Sequence, residues 1–167
     1  MLPEPFIHRW LSGDLWISAE ESLFTDVSEI DFESDPSALL CGRQRLILRS
    51  DGSAISYEKR CRNATPEDRT TFCEVKEGLA AGFAKLVWLA ESNGFFSLRA
   101  TYARNITDAG FESTRITKQG KPYKVVDYAG AGPFNLWVIQ SAIEGVGASA
   151  DWEKTTTQPE CPRWDAH

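Results

Sequence analysis

The chain has 167 residues, 42% of them hydrophobic and 25% charged, with a formal net charge of −6. This is enough for one domain with one core. No apolar run approaches the length of a membrane span, and an acidic chain without a nucleic-acid-binding motif argues against nucleic acid as a partner.

The start, Met1-Leu2-Pro3-Glu4, lacks a basic segment and no apolar stretch follows it. A cytoplasmic location is the expectation as written, or a periplasmic or secreted one if a leader was removed. Phe6, Ile7, Trp10 and Leu11 are spaced for a short helix, and Leu15-Trp16-Ile17 for a brief strand. Residues 25–33 alternate, with a slip in phase between Val27 and Ile30, and read as a strand with a bulge. Residues 1–40 hold nine acidic side chains and one Arg. They form an acidic N-terminal extension that contributes a short helix and one strand.

Arg43 to Arg60 is the most legible stretch, a β-hairpin turning at Asp51-Gly52. A two-residue turn pairs Leu48 with Ile55, Leu46 with Tyr57 and Arg45 with Glu58. A three-residue loop pairs Ile47 with Ile55 and sets Arg45 against Tyr57 and Arg43 against Lys59. The second arrangement opposes like charges, which destabilises, so the two-residue turn is the expected one. Its outer face is then a basic strip of Arg43, Arg45 and Arg49 with Arg60. The acidic extension is the nearest candidate to cover it; left uncovered, it is a surface for an anionic or protein partner.

Thr71 and Glu74 read as a capping box, followed by Val75, Leu79, Phe83, Leu86 and Ala90 at steps of four, four, three and four. This spacing predicts an amphipathic helix of about five turns. Asn93-Gly94 ends it. A loop carrying Tyr102, Thr107 and Asp108 leads to a second hairpin, which turns at Gln119-Gly120 and pairs Ile116 with Tyr123 and Thr114 with Val125. Pro133 opens the last helix, with Leu136, Ile139, Ile143 and Val146 as its apolar stripe. Residues 153–167 read as a polar tail. The expected fold is therefore α+β: an antiparallel sheet of about five strands (strand, hairpin, helix, hairpin, helix) with two main helices on one face. Residues 41–152 make up this single α+β domain.

Cys41, Cys61, Cys73 and Cys161 allow three pairings if all are bridged. In the two-residue register Cys61 and Cys41 fall on opposite faces, so Cys61–Cys73 is favoured, with Cys41–Cys161 tying down the tail; four reduced thiols are the alternative. No pair has the C-x-x-C spacing of a zinc site, and His8 and His167 lie near the termini, so neither metal nor another cofactor is indicated.

Cys41, Leu46, Leu48, Asp51-Gly52, Tyr57, Gly94-Phe95-Phe96-Ser97-Leu98, Tyr102, Thr107-Asp108, Gly120-Lys121, Lys124-Val125, Pro133, Leu136 and Trp152 together resemble an uncharacterised bacterial domain family. The family runs from a cysteine-containing strand through an Asp-Gly hairpin and a Phe-Phe-x-Leu segment to a Thr-Asp loop and a closing Trp. The resemblance covers about residues 41–152 and departs at Ser37, Gly42 and Gln44. It implies a fold unit and supplies no reaction.

No nucleophile elbow, P-loop, dinucleotide fingerprint or H-E-x-x-H is present. The leading expectation is a non-catalytic binding or inhibitor-like module, with Arg43, Arg45, Arg49, Arg60, Trp10, Trp16 and Trp164 as partner-binding candidates. Trp88 and Trp137 sit on helix faces that call for burial. One alternative is a small hydrolase using Asp108 with Tyr102. Another is a disulfide-stabilised envelope or stress-related structural protein.

Overall fold

The structure is a computed structural model that describes residues 26–37, 41–62 and 70–162. The expected helix and strand before residue 18, Trp10, Trp16 and Trp164 lie outside the described residues. Along the chain come β1 (Val27–Ser37), β2 (Gln44–Arg49), β3 (Ser53–Arg62), β4 (Thr70–Leu79), α1 (Phe83–Ser92), a single 3₁₀ turn (Phe95–Ser97), β5 (Thr101–Ala103), β6 (Ala109–Lys118), β7 (Lys121–Tyr128), α2 (Phe134–Ala148) and β8 (Asp151–Gln158).

Among the described residues the strands form one eight-stranded sheet in the order β5-β7-β6-β1-β2-β3-β4-β8. It is mixed, because β5 runs parallel to β7. The expectation of five antiparallel strands is thereby overturned. The three unforeseen strands are β4, β5 and β8.

Each escaped for a physical reason. In β4 the steps from Val75 to Leu79 to Phe83 fit a helix, but steps of four also keep a strand's phase of two. Cys73 and Val75 are buried and alternate with less buried neighbours. The helix starts only after Gly82, whose φ of +108° is costly for other residues. The five-turn helix from residue 75 is therefore a strand followed by a helix of 10 residues. β5 is three residues long. β8 is exposed along nearly its whole length, so it shows no apolar alternation; residues 153–158, which read as the start of a polar tail, are strand, ordered by their ladder to β4.

The Asp-Gly hairpin takes the three-residue loop. Ile47 lies opposite Ile55, Arg45 opposite Tyr57 and Leu48 opposite Ala54. Gly52 sits at φ +86°, its N–H donates to the Arg49 carbonyl at 3.0 Å, and the Asp51 carboxylate accepts from the Ser53 N–H at 2.9 Å. The two-residue register is thus corrected. Opposition of Arg43 and Lys59 argued against the observed pairing, but β1 lies on the other side of β2 and its acids neutralise the arginines. Small Ala54 and Ser56 then accompany Leu46 and Leu48 on the helix side. The second hairpin pairs as its sequence predicts, Ile116 with Tyr123 and Thr114 with Val125, with Gln119 and Gly120 both at positive φ.

α1 and α2 lie antiparallel on one face of the sheet. The Asn135 side chain donates to the Asn93 carbonyl at 2.7 Å, joining the start of α2 to the end of α1. At the other end Gly82 lies against Val146. Leu86, Val87 and Ala90 of α1 and Leu136, Ile139 and Ile143 of α2 meet Ile30, Phe32, Leu46, Leu48, Ile116 and Val125 of the sheet in one core. Burying each large side chain contributes about 1.5–3 kcal/mol. Gly147 lets α2 approach β2, since a Cβ there would meet Leu46 Cδ2 at 2.5 Å. No described helix is long and apolar enough to cross a membrane.

Candidate functional site

On the sheet face turned away from α1 and α2, β1 presents Glu29, Asp31 and Glu33 between the arginines of β2 and Arg115 of β6. Arg45 on β2 donates Nε to Asp31 Oδ1 at 2.9 Å and Nη2 to Oδ2 at 2.8 Å. Arg115 on β6 reaches the same carboxylate from the other side. Arg43 Nε donates to Glu33 at 2.6 Å, and Arg49 pairs with Glu29 at 3.3 Å. Asp31 and Glu33 are each only 7% exposed. The basic strip is therefore compensated inside the sheet by the acidic strand beside it. Arg60 does not belong to it: its register places it on the opposite face, paired with Glu58 at 2.8 Å and Glu74 at 3.5 Å. Lys76, bonded to Glu74, together with Arg60 holds that carboxyl below its ordinary range.

The cysteines pair as Cys41–Cys61 and Cys73–Cys161. The favoured Cys61–Cys73 and Cys41–Cys161 pairing is corrected by the same register change. The three-residue loop brings Cys41 directly opposite Cys61, with their Cα atoms 5.7 Å apart. Cys161 follows β8 and closes onto β4 at Cys73. Arg43, Lys59, Thr71, Phe72 and residues 159–162 line a cleft of about 290 Å³ beside this second bridge.

Tyr102 lies in β5 and Asp108 immediately before β6. Asp108 is exposed in a left-handed conformation, φ +60°. The Tyr102 hydroxyl accepts the Arg99 N–H at 3.2 Å, with the Arg99 guanidinium over its ring. The carboxylates that gather lie elsewhere: Glu112 on β6 and Asp127 on β7 are directly opposite each other, and Glu144 approaches from α2. Burial, and then the charges of Glu144 and Asp127, push Glu112 up to about 7. Asp127 accepts the Gly132 N–H at 2.9 Å. Among the described residues no group of three or more His, Cys, Asp or Glu is placed to hold a metal ion.

The outer side of α2 carries the third feature. Phe134 is 75% exposed and Trp137 56%, and their rings stack 5.4 Å apart. Glu144 is the only charged residue in this helix of 15. Trp88 on α1 is 38% exposed. Trp88 and Trp137, expected in the core, stand at the surface because Leu86, Val87 and Ala90, and Leu136, Ile139 and Ile143, already fill the sheet-facing sides. The available signal was the charge count of residues 134–148: a helix that is apolar or uncharged all round has more than one face to cover.

Comparison with family models, with curated proteins and with solved structures yields no match for this chain.

Proposed function

We propose that the chain is a disulfide-stabilised binding module that takes an apolar segment of a partner protein on the outer side of α2. The observation that carries this reading is the stacked, solvent-facing Phe134–Trp137 pair on a helix with one charge. Rigid aromatic side chains bury much area at low entropic cost, which makes them frequent anchors of protein interfaces. The arginines of β2 fit this role less well, since each is engaged by an acid of β1. Two disulfides agree with an oxidising compartment as the working environment.

The experiment is affinity capture from the native host with three baits: the wild-type chain, Phe134→Ser/Trp137→Ser, and a Lys59→Glu/Lys154→Glu charge variant. The reading expects a specific partner retained by the first and third baits and lost from the second. A partner kept by Phe134→Ser/Trp137→Ser and lost by the charge variant overturns it.

A further inference from the structure

The sheet has two edges of different character. β5 is three residues long and parallel to its neighbour, which makes it a poor template. β8 is eight residues long, laddered to β4 on one side except at Glu153, and outermost among the described strands on the other. Edge strands are ordinarily blunted by charge, proline or a bulge. β8 has its charges in its first half, Asp151, Glu153 and Lys154, and its proline after its end, at Pro159. The bulge in its ladder falls at Glu77/Gly78, opposite residues 152–154. The run from Lys154 to Gln158 is regular, exposed and free of like charges.

We propose that β8 pairs antiparallel with β8 of a second copy of this chain, about a two-fold axis through Thr156, so that the two sheets become one. A two-fold axis perpendicular to the sheet keeps the faces in phase, so only registers centred on a residue are open. Centring on Glu153 or Lys154 sets a charge against itself. Centring on Thr156 uses the regular segment and stops at Pro159 on one side and the bulge on the other. It places Thr155 opposite Thr157, Thr156 opposite Thr156, and Lys154 opposite Gln158 of the second copy. Threonine pairs across strands are favourable through their branched methyls and hydroxyls. This surface is separate from the Phe134–Trp137 pair, and the pairing does not depend on it.

Sedimentation of the oxidised full chain, raised to about 1 mM, tests the pairing. A reversible monomer–dimer equilibrium is expected. Gln158→Glu faces Lys154 of the second copy twice per dimer and tightens it by roughly three- to tenfold, while Gln158→Lys weakens it by a similar factor. Both effects shrink with added salt. Thr155→Pro and Thr156→Pro give an independent reading, because successive N–H groups of a strand point to opposite sides. One of the two removes only an outward donor; that variant keeps the wild-type urea midpoint and is monomeric. A wild-type chain that stays monomeric at the highest concentration overturns the proposal. So does a dimer insensitive to both Gln158 substitutions, or one lost in Phe134→Ser/Trp137→Ser.

Discussion

Asp31 on β1 and Arg45 on β2 meet through two parallel hydrogen bonds, 2.9 and 2.8 Å long, with the carboxylate nearly removed from solvent. Such forked pairs are directional as well as strong. Arg115 holds the same carboxylate from β6, so Asp31 ties β1 to both neighbouring strands through side chains. Removing its charge weakens the ion pairs of two guanidinium groups at once. Asp31→Asn is expected to cost about 2–4 kcal/mol in urea unfolding. Replacing Asp31 and Arg45 together by Leu and Met recovers part of this, and the loss of the Arg115–Asp31 bond keeps the recovery incomplete.

Glu112 gives the chain a pH dependence. Its folded-state pKa of about 7 lies above the ordinary 4.5. The folded protein therefore binds the proton more tightly than the unfolded chain. Below about pH 4.5 both states are protonated and the site is neutral in its effect; as pH rises to 7 the folded state loses stability, and above 7 the penalty is complete. The groups that face it are Asp127 of β7 and Glu144 of α2, both acidic, with Ser34 opposite on β1. Glu112→Gln is expected to raise the unfolding free energy by on the order of 1–3 kcal/mol at pH 8 and to leave it near wild type at pH 4. A pH series of urea midpoints for the two proteins checks the sign.

At Gly78 the backbone of β8 comes close to β4. A Cβ at this position would meet the Asp151 carbonyl oxygen at 2.1 Å and Trp152 Cα at 2.8 Å, both backbone atoms with little room to give. Gly78→Ala is expected to cost about 1–3 kcal/mol. Hydrogen exchange should locate the damage: amides of β8 lose protection, and those of β1 and β2, at the centre of the sheet, keep theirs.

The two bridges differ in the length of chain that they close. Their sequence separations are 20 for Cys41–Cys61 and 88 for Cys73–Cys161. Chain entropy assigns about 3 kcal/mol to a loop of the first length and about 4.5 kcal/mol to the second. Cys73→Ser/Cys161→Ser is therefore expected to lower the thermal midpoint further than Cys41→Ser/Cys61→Ser, measured by circular dichroism.

Features with a local cause were legible in the sequence. The turn at Gln119-Gly120 needs positive φ at both positions, and the strands around it alternate, so their pairing follows. The slip of phase after Val27 appears as the irregularity between Val27 and Glu29 in the β1–β6 ladder. What was not legible depended on a third partner. Opposition of Arg43 and Lys59 looks costly in an isolated hairpin, and becomes tolerable only when β1 supplies Glu33. β8 carries no apolar alternation, because its order comes from β4 and the Cys161 bridge. At the candidate site, the helical position of Trp137 points to burial, whereas the sheet-facing stripe of α2 is complete without it.

The three-residue register of the Asp-Gly hairpin fixes which face of β3 joins which face of β2: it sends Ala54 and Ser56 to the helix side beside Leu46 and Leu48, parts Arg60 from Arg43, Arg45 and Arg49, and brings Cys41 opposite Cys61. Mass spectrometry of peptides from a non-reducing digest, made at low pH to prevent exchange, tests it most directly. The account predicts one linked pair containing Cys41 and Cys61, another containing Cys73 and Cys161, and no free thiol. Recovery of a Cys61–Cys73 peptide from the folded protein would contradict it.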